Sequence, residues 1–405
     1  MALKTLTGHG APTTETKGTV GQHYTDLDSG TKYVCVGLRS NANWEDDPVE
    51  PHDFVSHKKF AGIDSGYGWE ECAGYKIKDF SYFCMDGYRI DELPFIDFSD
   101  ATSYAYMFAN TNITEIPKIT INHGAIINSM FNACTGLETI KDVDFSGAGK
   151  ATSVFKGCTK IQSVENLNVS GANSVSSIFE GCTSLLTVDN VDFSGCTSGG
   201  KNAFKGCKKL KTVNNVKWGE EDDFNGTFFD CTALETVTNF DMRATEISLY
   251  QTFWKCTSLT TIPDFSSKKI DQLYSAFGYC SSLTDIYNLD IDKVTGSAYA
   301  AFTDCSSLTN LYLYNIRVPI TIGSGTSYGH LLTVDSLVHT VKELCKVTSS
   351  TTLTMGATNL AKIADLYCRV LDDTTEKIEM ELCESTDEGA MTLEAYAALK
   401  NWTLA

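Results

Sequence analysis

Residues 253–262 read FWKCTSLTTI, and residues 277–286 read FGYCSSLTDI. Both follow the unit F-x-x-C-x-x-L-x-x-[IV], and its other copies lie on either side of this pair. The cysteine column runs Cys134, Cys158, Cys182, Cys207, Cys231, Cys256, Cys280 and Cys305, at intervals of 24 or 25 residues. Three residues before each stands a phenylalanine: Phe131, Phe155, Phe179, Phe204, Phe228, Phe253, Phe277 and Phe302. Three residues after each is Leu or Ile, and three further on comes Ile, Val or, in the last copy, Leu311. Two degenerate copies precede these, around Phe83 and Phe108, and Thr111 stands in the cysteine column of the second. A fixed period of this length marks a solenoid, here of about ten turns between residues 78 and 320.

One such turn cannot bury its own apolar side. Stacking turns in register sets each column on its copy and makes a continuous core. The β-branched segment after each cysteine predicts a short parallel strand. At a strand spacing of about 4.8 Å, ten turns give a rod on the order of 50 Å long. The segment before each phenylalanine (ATSVF, SVSSIF, SLYQTF) reads as a short helical or 3₁₀ turn. The fold class expected is therefore an α/β repeat solenoid with parallel strands. The cysteines read as a ladder of buried thiols rather than bridges, because a free cysteine behaves as a small hydrophobe and cytosolic synthesis keeps it reduced. No two cysteines have C-x-x-C spacing, which argues against a zinc site.

The unit F-x-x-C-[ST]-[SG]-L-x-x-[IV] followed by D-F-S, as in YQTFWKCTSLTTIPDFSS, resembles the BspA-like (Treponema-type) leucine-rich repeat. The resemblance covers roughly 240 residues. It implies a role in binding rather than catalysis, since this family occurs in bacterial surface adhesins and in phage proteins.

The flanks break the period. Residues 1–77 carry Gly10, Gly18, Gly21 and Gly30 between short β-prone runs, and TDLDSGTKYVCV predicts a hairpin with Asp28, Ser29 and Gly30 as its turn. The order G-A-P-T-x-x-T-x-G-x-V-G-x-x-Y, then Y-x-W, resembles a small β module of phage tail-fibre, baseplate and head-fibre proteins. That resemblance implies attachment to a virion; capping the first solenoid turn is the alternative. Residues 321–405 predict a small α/β cap domain. In it, a helix follows Thr333, a strand lies at Leu353, a helix starts near Asn359, and a third helix follows Thr392. The last stretch also resembles C-terminal segments of phage and prophage repeat proteins.

Composition narrows the function classes. With 32 basic and 51 acidic residues the formal charge is −19, which disfavours nucleic acid and anionic membrane as partners. An apolar fraction of 42 % suffices for a core. The opening MALKTLTGHG lacks the apolar run of a secretory signal. The seven histidines (His9, His23, His52, His57, His123, His330 and His339) show no metal-ligand spacing. The polar cluster from Glu45 to His57 and the acidic run from Glu220 to Asp223 read as solvated loops. A phosphate loop and a dinucleotide fingerprint are both missing, so no enzyme activity, cofactor or metal is expected.

The binding signal is aromatic. Tyr250, Tyr274 and Tyr299 stand three residues before Phe253, Phe277 and Phe302, in a column that earlier holds Thr152, Ser176, Lys201 and Asn225. Such polarity predicts a solvent-facing stripe, joined by Trp254 and Tyr279, that suits sugar or protein surfaces. The alternative is that these rings pack under the C-terminal domain. The expectation is a phage virion protein (tail fibre, baseplate, head fibre or decoration), made in the host cytoplasm. Its expected partners are other virion proteins, a host-surface glycan or protein, and further copies of itself in a trimer. A bacterial surface adhesin and a glycan-cleaving virion enzyme are the alternatives.

Overall fold

The computed structural model describes residues 6–8, 23–26, 32–39, 66–71, 79–82, 84–85, 98–198, 200–220, 223–295, 298–322, 332–374 and 378–405. Near the N-terminus, β1 (Leu6–Gly8), β2 (His23–Asp26), β3 (Lys32–Arg39) and β4 (Gly66–Glu71) form one sheet in that order. β1 and β2 are parallel, while β2–β3 and β3–β4 are antiparallel. Thr25 pairs with Lys32, as the expected hairpin requires. Its turn residues, Asp28 to Gly30, lie outside the described residues, as does the cluster from Glu45 to His57.

The repeat region contains β5 (Ala125–Ile126), β6 (Thr139–Asp144), β7 (Ala148–Lys150), β8 (Ser163–Asn168), β9 (Thr187–Phe193), β10 (Thr212–Trp218) and β11 (Thr236–Asp241). β12 (Glu246–Ser248), β13 (Lys269–Gln272), β14 (Asp285–Asp290) and β15 (Asn310–Tyr314) follow. The parallel sheet β6-β8-β9-β10-β11 keeps strict register: Ile140 pairs with Val164, Val164 with Val188, Val188 with Val213, and Val213 with Val237. The next turn, at residues 261–266, adds no strand. Pro263 interrupts it and has no N–H to give the ladder, so the sheet resumes at β14–β15.

These strands are not simple alternating ones. Asp142, Asn166, Asn190, Asn215 and Asn239 have positive φ near 50°, a region that Asn and Asp tolerate better than most residues. Each left-handed residue lets two inward positions fall three apart, as with Val164 and Leu167, or Val188 and Val191. The side chains of this column form a ladder from turn to turn. Asn166 donates to Asp142 at 2.6 Å, and Asn190 donates to Asn166 at 2.7 Å.

The segment expected to be a short helical turn is instead a second backbone ladder. Alternate N–H groups bond to the next turn: Ser153 to Ser176, Phe155 to Ile178 and Gly157 to Glu180, at 2.8 to 2.9 Å. The intervening amides close local turns, such as Lys156 onto Ser153 and Cys158 onto Phe155. Left-handed residues at Ser153 and Gly157 prevent helical continuation. The D-F-S corner closes the turns that carry it: Asp192 Oδ1 accepts from the Ser194 amide at 2.9 Å, as Asp144 does from Ser146 and Asp264 from Ser266, while Phe193 points into the core. Gly195 completes the corner, because a Cβ there would lie 2.1 Å from the Ser170 carbonyl oxygen.

Inside, all eight repeat phenylalanines are buried, and their rings stack at centroid distances of 5.4 to 5.9 Å from Phe131 to Phe302. Phe108 extends the column at 5.2 Å from Phe131. The first degenerate copy has a different register from the one expected. The Cys84 amide bonds to the Met107 carbonyl just as the Phe108 amide bonds to Met130, so Cys84 occupies the phenylalanine column. Phe83 lies outside the described residues.

Beyond the repeats come β16 (Ile320–Thr321), α1 (Val334–Lys342), β17 (Thr351–Thr354), α2 (Ala357–Ile363), β18 (Tyr367–Asp372), β19 (Glu379–Cys383), β20 (Met391–Thr392), α3 (Leu393–Leu399) and β21 (Trp402–Leu404). Thr333 and Thr392 cap α1 and α3, accepting from Ser336 and Ala395. α1 covers the last edge strand. Ser336 Oγ accepts from the Leu311 amide at 2.8 Å and donates to its carbonyl at 2.9 Å, replacing both partners that a further strand would offer.

Candidate binding surface

The cysteine column forms a geometric series. Each thiol lies within 3.0 to 3.2 Å of the phenylalanine carbonyl one turn earlier: Cys134 on Phe108, Cys158 on Phe131, Cys182 on Phe155 and Cys207 on Phe179. Cys231, Cys256, Cys280 and Cys305 repeat the contact on Phe204, Phe228, Phe253 and Phe277. All eight are free and fully buried. Burial pushes the Cys182 and Cys305 thiols up to about 12, so they are protonated donors at neutral pH and poor nucleophiles. Their role is structural. Thr111 stands in the same column one turn earlier, but its hydroxyl donates at 2.7 Å to the carbonyl of Phe108 in its own turn, the oxygen that Cys134 also contacts.

On the outside of the same segment lies the tyrosine stripe. Tyr250 and Tyr299 are exposed, at 37 % and 62 %, and Tyr274 between them is half-buried. Tyr250 and Tyr274 stack at 5.2 Å with 12° between their planes, and Tyr299 continues the column at 5.9 Å with a 35° tilt. The stacked rings shield each other's faces and present their hydroxyl-bearing edges. Trp254 and Tyr279 are half-buried and meet edge to face at 4.7 Å. Gly278 makes room for the indole, since a Cβ there would stand 2.2 Å from Trp254 Cζ3. The structure thus gathers the five aromatic residues into two groups on the same repeat segments, the tyrosine column and the Trp254–Tyr279 pair.

The aromatic residues that α1 does cover lie on the strand side. Tyr312 and Tyr314 pack against His339, with ring centroids 4.9 and 4.8 Å away, and His339 Nε2 contacts the Leu313 carbonyl at 3.0 Å. Tyr287, at 51 % exposure, stacks on Tyr312. A third pair, Tyr82 on Tyr106 at 5.0 Å, is exposed near the N-terminal end of the solenoid. The sequence reasoning missed that pair because its register is set by Cys84 rather than Phe83.

Among the described residues no group of three or more His, Cys, Asp or Glu side chains is placed to hold a metal ion. His123 is exposed, and His339 serves packing. His9, His52, His57 and His330 lie outside the described residues. The same holds for residues 325–329, GTSYG, whose serine has the G-x-S-x-G spacing of a nucleophile elbow. No helix among the described residues is long and apolar enough to cross a membrane.

A stacked parallel-strand solenoid with a continuous outward face defines a repeat protein of the surface-interaction type. The BspA type leucine-rich repeat region matches residues 101–221, 150–251 and 225–322, together more than half of the 405-residue chain, and the protein belongs to that family. Its solenoid is typically a non-catalytic interaction fold. No curated protein and no solved structure matches the chain.

Proposed function

We propose that the protein is an adhesion component of a phage virion, holding a host-surface ligand on the turn face of its solenoid. The observation that carries the binding reading is the stacked column of Tyr250, Tyr274 and Tyr299, exposed at both ends, with the half-buried Trp254 and Tyr279 pair on the same segments. Aromatic side chains combine a large apolar area with a polar handle and lose little entropy on binding. The virion assignment is supported by the glycine-punctuated N-terminal pattern and by the thiol ladder. That ladder requires reduced cysteines, as a bacterial cytoplasm provides. Binding is by surface complementarity, without bond chemistry.

The test is binding of labelled protein to host cells, alongside a Tyr250→Ala/Tyr274→Ala/Tyr299→Ala variant with unchanged thermal stability. The expected result is at least a tenfold loss of affinity for the variant, and equal binding refutes the reading. Antibody labelling of purified particles tests the virion assignment, which predicts label on the tail or head surface.

A further inference from the structure

Two outward columns on the turn face change character together along the solenoid. One reads Lys201, Asn225, Tyr250, Tyr274, Tyr299. The other, on the residue after each phenylalanine, reads Lys205, Phe229, Trp254, Gly278. Before these, the first column holds Thr152 and Ser176 and the second Lys156 and Glu180; from the turn of Lys201 and Lys205 onward both pass from a lysine into aromatic rings. Lys205 Nζ lies 5.2 Å from the Phe229 ring centroid, which joins the cationic end directly to the aromatic one. Asn225 bridges the other column, its Oδ1 accepting from the Tyr250 amide at 3.1 Å. Four other lysines of this region are held in ion pairs between turns, Lys156 with Glu180, Lys208 with Asp230, Lys211 with Glu235 and Lys217 with Asp192, while Lys209 is exposed beside Lys208. Lys201 is exposed and has no carboxylate in ion-pair reach among the described residues.

We propose that this strip is a subsite for an acidic glycan lying along the solenoid axis. Its anionic group would rest at Lys201 and Lys205, and its rings over Trp254 and the tyrosine edges. This proposal rests on the reading that the aromatic face binds a ligand, and it names that ligand's chemistry. Charge complementarity supports it. The chain carries a net charge of −19, so a polyanion is repelled over most of the surface and steered to the turn where the Lys201 and Lys205 ammonium groups stand together, although Glu180 offsets part of the Lys205 charge. Ring geometry selects a hydroxyl-rich partner over an apolar one. Tyr250 and Tyr274 occupy each other's faces, leaving a row of phenol hydroxyls that both donate and accept. Trp254, seated against Gly278, supplies an apolar platform beside that row. From Lys201 to Tyr299 is four turn steps, on the order of 20 Å at a strand spacing of about 4.8 Å, the reach of a short oligosaccharide.

The test is calorimetric titration of the full chain with uronate, sulfated and phosphorylated oligosaccharides, a carboxyl-reduced neutral counterpart, and poly-glutamate. The comparison set is wild type, Lys201→Gln/Lys205→Gln, Trp254→Ala, and Lys293→Gln as an exposed control. The expected result is binding of at least one acidic glycan, weakened about tenfold by the double lysine substitution and by added salt, and unchanged by Lys293→Gln. The identity of the tightest acidic ligand tells carboxylate, sulfate and phosphate apart. Neutral and acidic glycans binding alike, with the lysine variant unaffected and Trp254→Ala defective, overturns this inference and leaves the general binding reading standing. Poly-glutamate binding as tightly as any glycan overturns the glycan assignment. No binding by any glycan, with cells still bound through the tyrosines, also overturns it. Loss of cell binding as well removes both.

Discussion

Truncating Phe204 to alanine probes the stack where it is most regular. The ring is fully buried between Phe179 at 5.5 Å and Phe228 at 5.4 Å, both within 12° of parallel. The backbone cannot collapse into the space left behind, because the Phe204 amide is bonded to the Thr227 carbonyl of the next turn at 2.9 Å. A Phe→Ala change in such a core costs about 3–5 kcal/mol, transfer and cavity together. Phe302, at the end of the column, stacks on one repeat phenylalanine, at 5.9 Å. Its truncation should cost about 1 kcal/mol less, the worth of one aromatic pair. Urea unfolding followed by circular dichroism measures both as falls in midpoint with the slope maintained. A Phe204→Ala protein that is less than about 1 kcal/mol destabilised, or a larger loss at Phe302 than at Phe204, refutes the continuous column.

Other consequences are equally direct. Alkylation of the native protein at about pH 8 should label Cys383, which is half-buried, before any of the eight ladder thiols; mass spectrometry showing early labelling of Cys182 or Cys207 contradicts the ladder. Asp290 should contribute to acid sensitivity. Burial pushes its carboxyl up, but hydrogen bonds from Asn315 and the Asp292 amide and the Lys269 ammonium outweigh this and hold it below the ordinary carboxylate value. A depressed native value means that its stabilisation is complete above the unfolded pKa of about 3.9 and is lost as pH falls through the native one. Asp290→Asn should therefore flatten the acid limb of urea midpoint against pH, and an unchanged limb counts against this attribution. Gly278→Ala should displace the Trp254 ring and shift its fluorescence to the red, without unfolding the core beneath, because the atom it meets at 2.2 Å is a side chain's. Unchanged emission in that variant contradicts the packing of Trp254 on Gly278.

The solenoid was legible because Phe, Cys, Leu and Ile/Val recur at one period, and each of these residue types has one physical reason to be buried. Burial of Phe131 to Phe302 follows from that recurrence. The backbone between the columns was less legible. Runs such as ATSVF and SVSSIF have the apolar spacing of a helical turn, and nothing in their composition announces left-handed residues at Ser153 and Ser177. Likewise Asn166, Asn190 and Asn215 look like ordinary polar strand residues until their positive φ shows why inward positions fall three apart. In the C-terminal region Thr333, Leu353 and Thr392 marked α1, β17 and α3 through capping and turn chemistry. The stretch read as one helix from Asn359 ends at Ile363, and the chain then forms β18 at Tyr367–Asp372, where antiparallel pairing with Glu379–Cys383 outweighs local propensity. The outward direction of the tyrosine column was readable from Thr152, Ser176 and Asn225 in the same place. The stacking of its rings was not, since it depends on tilt and spacing between turns.

The most direct test of the stacked-turn account is an experimental density map through residues 131–302. The account predicts eight phenylalanine rings in one column at 5.4 to 5.9 Å, with each cysteine thiol on the phenylalanine carbonyl of the turn before. Phe155, Phe179 or Phe204 facing solvent, or thiols that do not line up, would contradict it.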